Sequence, residues 1–560
     1  MDYFCLLDQA FTTMKYRISQ QNPTSQFIQI SLSLSCLAGE NIALQLPAWR
    51  SGRYEIANFA QYIRRLEVFA NERKVPCGKI TKDLWTFSAK EETDYEVQYE
   101  FFAGQMDAGG SWSDPYQLYL NFINFAFEVK NREKEKIVVV LDIPDYYRVA
   151  TALPAQKHLE FLAQDFQHLV DSPLIASPDL NHLTYQVNDT TFHLWIQGEI
   201  VFQTDQLLHS FESFTKRQIE AFNDFPAKDY HFLFQLLPYT HYHGVEHRYS
   251  TVITFGPASS LLDQEKLDNL VGVSSHELYH FWNVCRIRPK ELLPYDFSKE
   301  TYFNSGIVAE GVTTYFGDIY LLRSGYYTLE RYLTKLQKMI NREFESFGWK
   351  NQAIAASSMD LWLDGYKVGI PEKKVSIYNR GALIGLCLDL ILIGKGSSLE
   401  AAMRKMWVKF GELNQGYTLE DFESIIGKLV NETTWIRNFF DSYILGVSDI
   451  LPILIEQLGL LGIRLESSPR ENELESNYGL MLDSEKKVTK IHPEAPAYGL
   501  LMIGDIVTNV SADEEGITCQ IDRHGKISQI IVPKSSSSYY KHYTLWIDQA
   551  HNRQRDVWMK

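Results

Sequence analysis

Cysteines are few in this 560-residue sequence, and none of the six belongs to a C-x-x-C pair. Their spacing excludes the usual zinc-finger pattern and the dense disulfide framework of a small secreted domain. They are Cys5, Cys36, Cys77, Cys285, Cys387 and Cys519. We therefore expect a protein of the reducing cytoplasm.

Basic residues are also scarce: 54 lysines and arginines stand against 70 aspartates and glutamates, and the formal net charge is −16. Nucleic acids and anionic membranes attract basic patches, so we expect neither as a partner. A negative field instead favours small ligands that carry a cationic group.

Long apolar runs are missing as well. The longest, GALIGLCLDLILIG at residues 381–394, is too short to span a bilayer and contains Asp389. The first residues, MDYFCLLDQAFTTMKYR, lack a basic segment followed by an apolar one, so they do not predict a signal peptide.

Residues 1–170 show the period of two that is typical of β-strands. In FIQISLSLSC, for example, Ile28, Ile30, Leu32 and Leu34 share one face. This pattern predicts a mostly antiparallel, sandwich-like β-domain. Two prolines in LVDSPLIASP indicate a boundary near residue 170.

Within residues 171–452 the period lengthens to that of helices from about Leu207 onward, and TVITFG is a predicted strand. A strand followed by a mainly helical body predicts an α+β catalytic domain. Residues 453–560 read as short strands and turns, which predicts a separate β-rich module. The expected fold is therefore a multidomain α+β protein.

The stretch SSHELYHFWNVCRIRP carries the clearest chemistry. Residues four apart share one face of a helix, so His276 and His280 can both aim a ring nitrogen at one ion. Glu277 lies beside them, where a general base could take a proton from water activated by zinc. The alternative is an ordinary helix with two packed or solvated histidines.

A hydrolytic zinc ion needs a third protein ligand and an open fourth position. Glu310 lies among apolar residues in GIVAEGVTTYFGD, where an unpaired carboxylate would be costly to bury. It is the candidate third ligand. A rival metal site, formed by His241, His243 and His247 in THYHGVEHRYS, is disfavoured because that stretch predicts a strand.

Together, SHELYHFWNVCRIRP and AEGVTTYFGD resemble the glycyl aminopeptidase family of zinc metallopeptidases. That family is similar to aminopeptidase N and leukotriene hydrolase and has a thermolysin-like catalytic domain. LPAWRSGRYEIANFAQYIRRLE (residues 46–67) resembles its N-terminal β-domain signature, and IHPEAPAYGLLMIGDIV resembles its C-terminal PDZ domain. The resemblance covers nearly the whole chain.

The resemblance implies an aminopeptidase with one zinc ion per chain that releases small N-terminal residues, glycine or alanine, from peptides with a free N-terminus. By position, His276, His280 and Glu310 are the implied zinc ligands, and Glu277 is the implied general base.

Two further roles follow from the resemblance. HGVEH stands where the family has a Gly-Gly-aliphatic-Glu-His segment, so Gly244 and Glu246 are expected at the substrate's free amino end. YNRGALIG resembles the clan's Tyr-x-Lys/Arg-Gly-Ala segment, in which the tyrosine donates to the oxyanion; here it is Tyr378. A surface charge for Glu246 and a structural role for Tyr378 are the alternatives.

The sequence departs from the family at three places. Cys285 replaces a basic residue, His243 replaces a glycine, and Gly317 stands where an acidic residue usually orients a zinc histidine. That orienting role falls to a set of polar neighbours, namely Thr313, Thr314 and Asp318. Arg286 and Arg288 are expected in structural ion pairs, or against a substrate carboxylate.

Two other functions stay open. One is a zinc endopeptidase, which would cleave peptides with blocked N-termini. The other is a PDZ-type peptide-binding protein with a non-catalytic metal. In the PDZ-like region, the NYGLML loop (residues 477–482) could hold a peptide carboxylate or serve as a packing element against the rest of the chain.

Overall fold

The computed structural model of the chain describes residues 13–548 and 551–560. The stretch 1–12, which includes Cys5, lies outside the described residues. The other five cysteines are unpaired. In the described part of the chain, no single helix is long and apolar enough to cross a membrane, although the bent pair Asn379–Gly394 and Leu399–Gly411 passes the same test jointly.

The N-terminal region is β-rich, as predicted, and contains three sheets. An eight-stranded sheet has, in spatial order, Ala155–Lys157, Glu160–Ala163, Ile137–Asp142, Met14–Ser19, Phe27–Cys36, Thr93–Phe102, Ile63–Ala70 and Arg73–Val75. One four-stranded sheet has Arg148–Thr151, Leu174–Ser177, Gln117–Leu120 and Trp112–Asp114. The other has Glu128–Val129, Asn41–Gln45, Leu84–Ser88 and Cys77–Lys79.

Strand Phe27–Cys36 shows why these residues form a sheet. Its side chains alternate between buried and partly exposed, so one face enters the core and the other meets solvent. Its neighbours on both sides are antiparallel, whereas Met14–Ser19 and Ile137–Asp142 pair in parallel. Strand Leu174–Ser177, which follows the predicted boundary at residue 170, pairs within the N-terminal sheets.

A five-stranded sheet comes next and supports the site. Its order is Asn181–Val187, Thr190–Gln197, Asp229–Leu236, Ser250–Gly256 and His241–Glu246. Strand His241–Glu246 lies at one end of this order, so one of its backbone edges has no strand partner; we call it the edge strand. The last three strands all precede the helix that carries the histidine motif.

The described residues contain fourteen α-helices, most of them in the middle region. They are α1 Phe166–Val170, α2 Thr204–Phe222, α3 Gln264–Tyr279, α4 Thr313–Arg323, α5 Leu329–Phe344, α6 Ile354–Met359, α7 Leu361–Asp364, α8 Asn379–Gly394, α9 Leu399–Met406, α10 Leu419–Val430, α11 Thr433–Tyr443, α12 Leu451–Leu460, α13 Glu473–Ser476 and α14 Arg553–Trp558. A π-helical turn, Ile307–Val312, runs directly into α4.

The helices that carry the site approach one another closely because glycines face their partners. A Cβ atom on Gly317 of α4 would lie 2.9 Å from the Cα atom of His276, so α4 packs directly on α3. In the same way, Gly311 of the π-helical turn faces Gly381 of α8. Neither contact tolerates a side chain without movement of the backbone.

The C-terminal region is built from short strands, as expected. They are Ile463–Pro469 paired with Lys541–Ile547, Leu480–Leu482 paired with Val488–Ile491, and the sheet Ile506–Ala512, Gly516–Arg523 and Lys526–Pro533. This region contacts the middle one: the carboxylate of Glu345, just after α5, accepts ion pairs from Arg470 and Lys490. A PDZ domain is not confirmed.

Candidate metal centre

Helix α3 presents the histidine motif. The side chain of Asp263 caps its first turn by accepting from the backbone N–H of Lys266, and the helix ends at Tyr279. His276 lies in the last turn and His280 at the C-cap, with their Nε2 atoms 3.1 Å apart. Both imidazoles therefore converge on one point above the helix end.

Glu310 completes the set from the π-helical turn. Its Oε2 atom lies 3.4 Å from His280 Nε2 and 3.8 Å from His276 Nε2, and its side chain is almost fully buried. A tetrahedral zinc ion with bonds of about 2.0–2.1 Å separates its ligand atoms by about 3.3 Å. The three atoms thus fit one such ion, and Glu310 Oε2 has no hydrogen-bond partner in the part of the chain that the structure describes.

The orientation of His280 is fixed by a backbone carbonyl. Its Nδ1 lies 2.9 Å from the oxygen of Asn283, which accepts the ring N–H and leaves Nε2 free as a ligand. Thr313, Thr314 and Asp318, the expected orienting residues, make no hydrogen bond to either motif histidine in the described chain. The His280 ring is oriented by the Asn283 carbonyl instead, and at position 317 no acidic side chain would fit without movement of the backbone.

The Asn283 side chain connects the loop that follows α3 (residues 280–287, the motif loop) to the π-helical turn. Its amide donates to the carbonyl of Val308 and to Thr313 Oγ1. The next residue, Val284, has φ of 81°, a left-handed conformation that is strained for a β-branched side chain. We infer that this strained turn is what aims the Asn283 carbonyl at His280.

Arg286 and Arg288 serve this same loop rather than ion pairs. Arg286 donates to the carbonyls of Phe281 and Arg248, and Arg288 donates to those of Val284 and Cys285. Neither makes an ion pair among the described residues. The expectation of structural ion pairs is therefore wrong, because backbone carbonyls take the guanidinium donors.

Glu277 lies beside the three convergent atoms. Its carboxyl is buried, and its Oε2 atom has no hydrogen-bond partner within residues 13–548 and 551–560. The edge strand supplies the space for it: a Cβ atom on Gly244 would lie 2.8 Å from the Cδ atom of Glu277. The absence of a side chain at Gly244 therefore leaves room for the Glu277 carboxyl.

Glu246 also points into the site from the edge strand. It is 5% exposed, and its Oε1 atom has no hydrogen-bond partner among the described residues, so it is not a surface charge. One of its carboxylate oxygens clusters with a carboxylate oxygen of Glu277 and a ring nitrogen of His280. On its other side lies Gly52 of the N-terminal region, where a Cβ atom would sit 2.9 Å from the Glu246 Cδ atom.

The charges of the buried carboxylates favour cationic ligands in this site. Burial raises the pKa of Glu246, and it raises that of Glu277 well above the usual range. Burial would lower the pKa of His280, but the surrounding carboxylates, led by Glu310, raise it to about 10. One divalent ion together with one ammonium group would neutralise the three carboxylates, so these residues fit a metal and a charged amine.

Three tyrosines surround the carboxylates. Tyr378 precedes α8 and is half-buried; burial and the nearby charge of Glu310 raise its pKa well above the usual value. Tyr54 is fully buried, its hydroxyl has no hydrogen-bond partner in the described chain, and burial raises its pKa well above the usual value. Tyr366 accepts the backbone N–H of Tyr54. Their hydroxyls stay protonated and can donate.

The structure separates the rival histidines. His247 Nδ1 lies 3.0 Å from Asp171, while His243 lies beside Arg50, so these rings do not converge on one point.

Sequence reasoning missed three contributors from one N-terminal loop, Arg50, Gly52 and Tyr54. All three lie in the stretch at residues 46–67 that resembles the family's N-terminal signature. No feature of that stretch indicates, however, that it folds against the histidine motif.

Two regions match known families. Residues 15–178 match the peptidase M61 N-terminal domain, and residues 269–384 match M61 glycyl aminopeptidase. No curated protein sequence matches the chain.

Solved structures show the fold. An aminopeptidase N family protein from Idiomarina loihiensis is 22% identical, covers 98% of this chain and 100% of its own, and superposes with a TM-score of 0.86. An M1 zinc metallopeptidase from Deinococcus radiodurans, bound to a Tyr-Ser-Ala substrate, is 14% identical over 77% of this chain and 93% of its own, with a TM-score of 0.48.

Proposed function

The chain belongs to the M61 peptidase family, and we propose that it is a zinc-dependent aminopeptidase that releases small N-terminal residues from peptides. His276, His280 and Glu310 would hold one zinc ion per chain. Glu277 and Tyr378 would act on the scissile bond, and Glu246 would bind the substrate's ammonium group.

The observation that carries the proposal is the buried carboxylate of Glu246 beside the three convergent ligand atoms, with an Oε1 atom that has no hydrogen-bond partner among the described residues. Its free oxygen suits an ammonium group, and Gly52 closes the space behind it. A peptide whose amine is held there has little room for residues before the scissile bond. That geometry favours an exopeptidase with a small first residue.

When bound, zinc would polarise the scissile carbonyl and acidify the attacking water. Glu277 would take the proton of that water and pass it to the leaving amine. Burial raises the pKa of Glu277 well above the usual value, and a general base works best when its pKa lies near the operating pH. The Tyr378 hydroxyl would donate to the oxyanion that develops on the carbonyl oxygen. Gly244 would leave the backbone of the edge strand open to the substrate.

A panel of peptides with the zinc content measured in parallel tests the proposal. The zinc-loaded protein should release glycine or alanine from free peptides and leave N-acetylated ones intact. Cleavage of the acetylated peptides would favour the endopeptidase alternative. No release from any peptide by a protein with one bound zinc would contradict an enzymatic function.

We propose that the C-terminal region is a PDZ-like module whose role includes packing against the rest of the chain. The ion pairs between Glu345 and Arg470 and between Lys350 and Glu494 support such a contact. Calorimetry with the full chain and C-terminal peptides would show whether the 477–482 loop also binds a carboxylate.

A further inference from the structure

Arg50 is a buried cation without a carboxylate partner. Its side chain belongs to a residue that is 7% exposed, and no ion pair within 4.0 Å involves it among the described residues. Two donors are used, one by the carbonyl of Ser51 and one facing Nε2 of His243 at 3.3 Å. A guanidinium has five N–H donors, so three find no acceptor in the described chain.

The surroundings of Arg50 form a fitted cradle. Gly109 leaves room for the guanidinium, since any Cβ atom there would overlap it. His243 Nδ1 lies 4.0 Å from Asp107, which is itself fixed by the backbone N–H of Gly109. Asp107 and His243 thus position Arg50, and the Asp107 carboxylate attracts the guanidinium without forming an ion pair within 4.0 Å among the described residues.

The guanidinium lies beside the catalytic groups. Its Nη2 atom lies 3.3 Å from Nε2 of His243, and the next residue, Gly244, faces the Glu277 carboxyl. Gly52, two residues after Arg50, faces the Glu246 carboxyl. Arg50 therefore lies on the side of the site that contains the general-base candidate.

The edge strand gives the spacing between the two ends of a substrate. His243 precedes Glu246 by three residues, which corresponds to about 10 Å along a strand. An extended peptide spans about 3.3–3.6 Å per residue. With its amine at Glu246, a chain of two or three residues would end near Arg50.

We propose that Arg50 binds the C-terminal carboxylate of dipeptides and tripeptides, which makes these short free peptides the preferred substrate class. The inference rests on the proposed function, since it takes Glu246 as the anchor of the amine. His243, the departure from the family's glycine, positions the guanidinium through its ring nitrogen.

Calorimetry with the zinc-loaded Glu277→Gln protein tests this without turnover. The probes are alanyl-alanine and its C-terminal amide. The free acid should bind about 10- to 100-fold more tightly, as expected for a charge-assisted contact to a carboxylate. Adding Arg50→Gln should bring the ratio of the two affinities close to one, whereas Arg50→Lys should keep part of the preference.

The control is Arg65→Gln, which removes the same charge from an exposed position in the N-terminal region and should keep the full preference. His243→Gly should weaken it in part. Equal binding of acid and amide, no binding of either, or tighter binding of pentaalanine than of alanyl-alanine would overturn the proposal. Hydrolysis of alanyl anilide by the unaltered protein separately reports the proposed aminopeptidase, because that probe has no carboxylate.

Discussion

Gly311 and Gly381 meet backbone to backbone. A Cβ atom on Gly311 would lie 2.6 Å from the Cα atom of Gly381, and one on Gly381 would lie 2.7 Å from that of Gly311. This contact sets the π-helical turn that carries Glu310 against the start of α8, which follows Tyr378. A ligand candidate and an oxyanion-donor candidate are thereby fixed relative to each other.

Gly311→Ala should separate these two segments. Overpacking of this kind costs about 1–3 kcal/mol in the free energy of unfolding, and we expect weaker zinc binding as well. Urea unfolding and a zinc competition titration measure the two effects. Gly385→Ala on α8, the helix that Gly311 faces, is the matched control, since its Cβ would meet Tyr315 Cβ at 3.5 Å, an ordinary contact. Equal behaviour of the two variants would contradict the argument.

Glu277→Gln should keep the metal and lose turnover by about 100- to 10,000-fold, the usual contribution of a general base. Metal analysis and the rate of alanine release are the measurements. Glu265→Gln, at an exposed carboxylate in the first turn of α3, should leave both unchanged. Retained turnover in Glu277→Gln would remove this residue from the base role.

Asn283→Ala should weaken zinc binding without removing a ligand. The substitution frees the motif loop from Val308 and Thr313, and the carbonyl that orients His280 then loses its anchor. Losing an outer-shell partner typically costs about 10- to 100-fold in metal affinity. A competition assay with a chelator measures it, and an unchanged affinity would show that the strained turn holds without the side chain.

A histidine stack on the five-stranded sheet should make stability depend on pH. His231 lies beside His193, and burial lowers the pKa of His231 to about 3 and of His182 to about 4. These values lie below the usual 6.5, so the stabilisation is complete above pH 6.5 and is lost as the pH falls towards the folded values.

His231→Asn should flatten this dependence, because an amide oxygen can still accept from Trp195 but does not titrate. The difference in unfolding free energy between the wild type and the variant should fall with decreasing pH, by up to about 1.4 kcal/mol per pH unit. Urea unfolding at pH 7 and pH 5 measures it. If the unfolding free energy of His231→Asn changes with pH as steeply as that of the exposed control His209→Asn, the histidine stack is not the cause of the pH dependence.

Local periodicity was enough to predict most of the fold. The alternation in Phe27–Cys36 and the helical spacing in α2 each reflect one buried face, which neighbouring residues encode. Helix α8 is buried almost all round, and its apolar run marks it instead. The end of α3 at Tyr279 was not predictable, because the turn at Asn283 and Val284 contains neither glycine nor proline.

The candidate site likewise contains residues that the sequence predicts and residues that it does not. His276, Glu277 and His280 lie within one helical turn, and Glu310 was marked by its apolar surroundings. Arg50 meets His243 across 193 residues of sequence, and such a contact leaves no periodic signal. Contributions from the N-terminal loop could be found only once both regions were placed in space.

Trp558 of α14 is fully buried, and its indole N–H donates to the hydroxyl of Tyr315, 243 residues earlier in the chain. During synthesis, the histidine motif leaves the ribosome well before this indole exists. The contact between α14 and α4 therefore forms only after residue 558 has been made. A chain made as far as Glu310 carries every proposed zinc ligand but lacks this contact, so α4 reaches its final packing late.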